Sequence, residues 1–210
     1  MKHPAPGFAL PTLMLMLALT SLATLLAMRN LWMNEQLLNA EADQLRTQHK
    51  AEAVLPVALA DILGTATNNN GEATPNPRHN AGSATQNHAF FPHSMAEYNV
   101  LRQRLGANLC SAGICAPHAL NASAHNASDW KTQTTTAVAV SAADTPYGDN
   151  TAWYWVEIFP QPHTDGFVYR ITAMANGVMP SSSTVLQAIW ESHTATPTTG
   201  QWRSWHVLHD

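Results

Sequence analysis

The stretch "FALPTLMLMLALTSLATLLAM" limits what this chain can fold into more than any other: it follows Gly7 directly and carries no charge from Phe8 to Met28. As a helix, its 21 residues would rise about 31 Å, enough to cross the hydrocarbon core of a bilayer. Thr12, Thr20, Ser21 and Thr24 are compatible with lipid, because their hydroxyls can return to backbone carbonyls one turn earlier. Pro11 falls in the first turn, where a missing N–H costs little. A cleaved signal peptide has a shorter apolar core and a small-residue cleavage site after it.

The residues after Arg29 continue the helix. No glycine interrupts the chain from Phe8 to Ile62, and Pro56 is the only later proline in that span. Leu37, Leu38, Ala42, Leu45 and Ala53 to Leu55 recur at helical spacing between charged and amide residues, which predicts an amphipathic extension over 29–63. A bend or an end is expected near Pro56, and Gly64 supplies a stop. On these features alone the chain is a single-pass anchored protein with a helical stalk.

Charge excludes one class of partner. A net charge of -4, with 11% charged residues among 210, offers no basic surface for nucleic acid. The 11 histidines leave the charge sensitive to mildly acidic pH. The two cysteines, Cys110 and Cys115 in "NLCSAGICAP", fit a disulfide, a metal half-site or two thiols. A disulfide is the natural state if they lie outside the cytoplasm, and its loop entropy would then stabilise by about 2 kcal/mol. The C-x-x-C spacing of redox and zinc motifs is absent.

Residues 64–95 contain too few apolar groups for a packed element and read as a polar loop or disordered insertion. "SMAEYNVLRQRLGANL" predicts a short helix with Ser94 as N-cap, Glu97 in a capping box and Gly106 as the stop. Two Asn-Ala-Ser sequons follow in a polar, turn-like stretch. "TTTAVAVSA", "TAWYWVEIFP", "GFVYRITAMA", "STVLQAIWES" and "QWRSWHVLH" have strand period and composition. In the second of these, Trp153, Trp155, Glu157 and Phe159 share one face, and Tyr154, Val156 and Ile158 the other. The expected fold is α+β, with a long N-terminal helix packed on a C-terminal antiparallel sheet.

No pattern in the chain points to catalysis. His79, His88 and His93 lie in one loop and His118 and His125 in another, and no zincin, P-loop or nucleophile-elbow motif occurs. His206 and His209 point to opposite faces if they sit on a strand. Glu157 and Asp165 have no carboxylate partner at a recognisable spacing. No metal, cofactor or catalytic residue is expected. Trp153, Trp155, Trp190, Trp202 and Trp205 invite a carbohydrate-stacking reading, but alternating aromatics on a sheet more often pack its core.

The leader "MKHPAPG", the Phe8 after it and the helix that leaves the apolar run together resemble the type IV pilin superfamily. That resemblance implies cleavage between Gly7 and Phe8 by a prepilin peptidase, with methylation of the new amino terminus. Shaft-forming members carry a glutamate at the fifth mature residue, where this chain has Thr12. A threonine cannot neutralise a buried ammonium, so a repeating shaft role is not expected. "LCSAGIC" and "FVYRITAMANGVMPSSSTVLQAIWE" resemble PilX-type minor pilins, with Tyr169 to Thr172 and Val185 to Gln187 in the matching positions.

The resemblance implies a minor pilin that primes pilus assembly or sits at its tip, held in the bacterial inner membrane with its C-terminal domain in the periplasm. Its expected partners are other minor pilins and the major pilin through the Phe8–Met28 helix, the prepilin peptidase and a tip adhesin. The implied organisation is a leader at 1–7, a membrane-spanning half at 8–28, an amphipathic half at 29–63, the insertion at 64–95 and a pilin-like domain at 96–210. The alternatives are a minor pseudopilin of type II secretion and a membrane-anchored periplasmic enzyme or ligand-binding protein.

Overall fold

The computed structural model describes residues 9–65, 77–79, 89–106, 110–116, 130–142, 144, 146–147, 151–162, 164, 166–179, 182–194 and 197–208. It divides into two units, residues 1–42 and 43–210. Helix α1 spans Ala9–Ile62 and belongs to both. In the first unit every described residue from Leu10 to Glu41 is exposed. Thr20 donates to the carbonyls of Met16 and Leu17, Ser21 to that of Leu17 and Thr24 to that of Ser21, all within 3.0 Å. These hydroxyls are satisfied inside the helix, as a lipid environment demands.

In the second unit α1 packs on a sheet. The helix passes through Pro56 rather than ending there. Pro56 is exposed, so the carbonyl it deprives of an N–H lies on the side where water can replace it. The end follows a Schellman pattern. Thr65 N–H donates to Ala60 O at 2.9 Å and Gly64 N–H to Asp61 O at 3.1 Å, with Gly64 at φ +69°. The buried stripe is Asp43, Thr47, Lys50, Ala51, Val54, Ala58, Asp61 and Ile62. Of the predicted apolar face, Val54 is buried and Leu55 packs against the core, whereas Leu37, Leu38 and Leu45 are exposed. The charged residues go inside because partners on the sheet or its loops await them.

Helix α2, Met95–Leu105, has the expected caps: Ser94 Oγ accepts from Glu97 N–H, and the Gly106 N–H bonds to Arg102 O. The Glu97 carboxylate reaches back to His93 N–H at 2.7 Å, one residue before the N-cap. Tyr98, Leu101 and Leu105 are its buried residues, an i, i+3, i+7 face.

The sheet runs β1 (Cys110–Ser111), β2 (Ile114–Cys115), β4 (Ala152–Pro160), β5 (Phe167–Asn176), β6 (Ser183–Ser192), β7 (Gly200–Leu208), with β3 (Val138–Ala139) also against β4. β2 is parallel to β4 and the other pairs are antiparallel. The fold is α+β and pilin-like, a long N-terminal helix with a C-terminal, mostly antiparallel sheet. "TTTAVAVSA" differs from the expected strand, giving a 3-10 turn at Thr134–Thr136 before the two-residue β3. Residues Ala89 to Pro92, which composition assigned to the polar insertion, are buried. Phe90 and Phe91 reach the main core, and Arg104 lies 4.8 Å over the Phe90 ring.

The β4 side chains divide between faces as the alternation predicts. Tyr154, Val156 and Ile158 join the core that includes α1 and α2. Trp155 lies in a second cluster with Trp130, Met174, Val185, Leu208 and the two cysteines. The sheet is thus covered on both faces. Trp130 packs 5.0 Å from Trp155, which reads Trp155 as core.

Candidate functional site

The hairpin "CSAGIC" closes through a two-residue turn in which Ala112 and Gly113 have φ of 48° and 77°, the signature of the type I′ turn that matches strand twist. A Cβ at Gly113 would collide with the Val138 side chain, so β3 can approach only a glycine there. Gly113 N–H donates to Thr136 O and its carbonyl accepts from Val156 N–H, both at 2.7 Å. Cys110 and Cys115 are disulfide-bonded across this hairpin, and both are buried. Of the three states the sequence left open, the structure has the disulfide.

Two polar networks hold the second part of α1. At one end the Asp43 carboxylate accepts the N–H groups of Val178 and Met179 at 3.1 and 3.0 Å. The Met179 N–H first, then the Ser182 side chain and the Val178 N–H, hold its carboxyl below the usual range. Lys50 donates to Thr151 Oγ1 and, at 3.1 Å, to Asn176 O. A Cβ on Gly177 would come within 2.7 Å of both Thr47 and Asp43 side-chain oxygens, so the β5–β6 turn needs glycine at that point.

At the other end the buried Asp61 carboxylate takes Arg78 at 2.9 Å and the Tyr154 hydroxyl at 2.8 Å. Arg78 also donates to Ala112 O at 3.0 Å, which ties the disulfide hairpin into the same network. His79 hydrogen-bonds the Asp61 carbonyl through Nε2, and its ring stacks 5.1 Å from Phe91. A carbonyl only accepts, so Nε2 carries the proton. Burial holds the imidazole below its ordinary value, against the raising effect of Asp61. Burial also pushes the Tyr154 phenol up, so it stays a neutral donor. The sequence missed this cluster because Asp61, Arg78 and Tyr154 come from three distant segments.

Glu157 is buried and paired by Arg170 through two bonds of 2.6 Å. The partner is cationic and lies directly opposite on β5; only the β4–β5 register could have revealed it. His49 is exposed beside Glu52, and His93 and His206 join no cluster of metal-binding side chains among the described residues. His88, His118, His125, His209 and Asp165 lie outside the described residues, as do Gly7 and Phe8. Thr12 is exposed in the first turn of α1.

The tryptophans do not all behave alike. Trp155 and Trp190 are core, but Trp202 and Trp205 on β7 are 44% and 56% exposed, against the expectation of core packing. β7 ends the sheet among the described residues, so Trp202 and Trp205 have a neighbouring strand on one side only.

The described residues present an exposed apolar helix able, by length and composition, to cross a membrane, and a sheet that ends, among them, in the long exposed strand β7. No curated protein and no solved structure matches the chain. Residues 111–191 match the family model described as type IV pilus assembly protein PilX C-term. That span runs from the disulfide hairpin through β4 and β5 to the end of β6, and in this chain it accompanies an exposed apolar helix. Residues 111–191 are thus similar to the C-terminal domain of PilX, and that similarity supports involvement of the chain in type IV pilus assembly.

Proposed function

We propose that this chain is a minor pilin that primes pilus assembly or occupies its tip, rather than repeating along the shaft. The observation that carries this reading is Thr12 in the first turn of an exposed apolar helix. A subunit buried in a bundle of such helices needs a carboxylate to neutralise a neighbour's terminal ammonium, and Thr12 supplies none. Cleavage between Gly7 and Phe8 frees the amino terminus. The Phe8–Met28 segment then packs against other minor pilins and the major pilin through small residues such as Ala18, Ser21 and Ala23. The C-terminal domain lies in the periplasm, a reading supported by the Cys110–Cys115 disulfide because oxidising compartments preserve such bonds. No catalysis is required of it.

N-terminal mass spectrometry of the protein with and without prepilin peptidase tests this. The expected product begins at a methylated Phe8 only when the peptidase is present. A chain that keeps Met1 in both cases overturns the reading. Sheared pili should contain the protein at a small fraction of the shaft subunit, and equal abundance would refute the role assigned through Thr12.

A further inference from the structure

The two edges of the sheet are built differently. On one side the sheet ends in two-residue strands, closed by a disulfide hairpin. Short strands leave little backbone for a stranger to pair with. On the other side stands β7, nine residues long, without proline or lysine, and exposed from Gly200 to His206.

A register shift between Ile189 and Trp190 leaves Arg203 as the extra residue of β7. Trp202 then stands opposite Trp190 and Trp205 opposite Ala188. Without the bulge, residues three apart would face opposite ways. With it, both indoles project on the α1 side of the sheet, beside Val207. Arg203, the one formal charge on the strand, is paired with Glu191. The bulge therefore gathers two exposed aromatics on one face and turns the cation to the other.

We propose that β7 is a docking edge that receives an extended, largely apolar strand without acidic side chains from a neighbouring pilus subunit. Backbone pairing supplies the contact, and the face carrying Trp202 and Trp205 receives alternate side chains of the incoming strand. Charge selects the occupant: the face carrying Trp202 and Trp205 holds no cation of its own strand, because Arg203 is turned away and paired with Glu191, so an acidic side chain set against it would lose water and gain no partner. Area selects how it is held. A nine-residue edge, about 30 Å long and about 10 Å thick, buries roughly 300 Å² on each side. The total of roughly 600 Å² is about half of what a stable free interface needs. A freely diffusing second copy is therefore not retained. A subunit already held beside the chain by its membrane helix is, because tethering raises its effective concentration to the order of millimolar.

This inference rests on membership of a pilus assembly, so the test carries a probe for each. The full chain, in its native membranes, takes a photoreactive phenylalanine analogue at Ser204 on β7 or at Leu31 on α1. The Ser204 probe is expected to give an adduct with a different pilus protein. Trp202→Lys with Trp205→Lys should cut that adduct at least tenfold and leave the Leu31 adducts unchanged. An intact Cys110–Cys115 disulfide and unchanged protein level show that this variant folds, and Trp205→Ala alone should give an intermediate loss. The proposal is overturned by a Ser204 adduct only with a second copy, or by no Ser204 adduct while Leu31 still labels pilus proteins. Tryptophan-dependent binding of polysaccharide without any Ser204 protein adduct overturns it too. Silence at both probes removes the pilus reading itself, and the docking edge with it.

Discussion

Helix α1 contains two regions with opposite habits. Residues 10–28 are almost wholly apolar and exposed, whereas the stripe from Asp43 to Asp61 buries two carboxylates, a lysine and a threonine. Hydrophobicity alone would have sorted them the other way. The exposed half makes its own backbone and hydroxyl hydrogen bonds and leaves only apolar surface outward, which suits lipid or other such helices. The buried half succeeds because its charged groups meet fixed partners on the sheet or its loops, while Thr47 returns its hydroxyl to Asp43 O within the helix, the condition for burying polar groups at acceptable cost.

The largest effect should come from breaking the buried side of that contrast. Asp61→Ala removes the carboxylate shared by Arg78 and Tyr154, and is expected to cost about 3–5 kcal/mol. Urea unfolding of the detergent-solubilised chain, followed by near-ultraviolet circular dichroism, measures it; a loss below about 1 kcal/mol would show that the network is dispensable. The exposed side should fail differently. Leu17→Lys places a charge mid-helix in a window that is 0% buried, and opposes membrane insertion by about 3 kcal/mol. Alkaline extraction should release the variant, while the tryptophan unfolding transition of the 43–210 unit stays where it was.

A smaller effect separates the covalent from the polar tie. Cys110→Ser with Cys115→Ser opens a hairpin that Arg78 still grips at Ala112 O. The lost loop constraint is worth about 2 kcal/mol, readable as a shift in the urea midpoint with an unchanged slope. A larger loss would mean that the disulfide also holds Trp130 over Trp155. The smallest effect is titration. His79 faces Asp61, Arg78, His93 and Phe91, and burial keeps its folded pKa below the unfolded value. The unfolded chain therefore binds the proton first, so stability is full above about pH 6.5 and declines as pH falls below it. Asp43, whose pKa is lowered, adds a separate loss only below about pH 4. His79→Gln should flatten the first slope and leave the second.

Some of this was legible one residue at a time. The Ser94 cap, the Gly106 and Gly64 stops and the β4 alternation depend on neighbours within one helical turn or a few strand residues, so local pattern exposed them. The candidate surfaces were less legible. Trp155, Trp190, Trp202 and Trp205 are the same residue on similar strands, and composition gave all four one environment. Their difference is that a second layer covers Trp155 and Trp190 while Trp202 and Trp205 sit on the last strand of the sheet. Likewise, Phe90 and Phe91 lie in a polar stretch, and only the core they enter shows them as structural.

The sequence by itself determined the apolar helix, its helical continuation past Arg29, the four long strands and the short cysteine spacing, because each rests on periodicity or distance along the chain. Tertiary structure alone decided that α1 buries Asp43, Lys50 and Asp61, that Glu157 meets Arg170, and that a bulge gathers Trp202 and Trp205 on an open edge. Those outcomes depend on which residues lie opposite one another across strands and layers. A charged or aromatic side chain takes its energy from that neighbour rather than from its place in the chain.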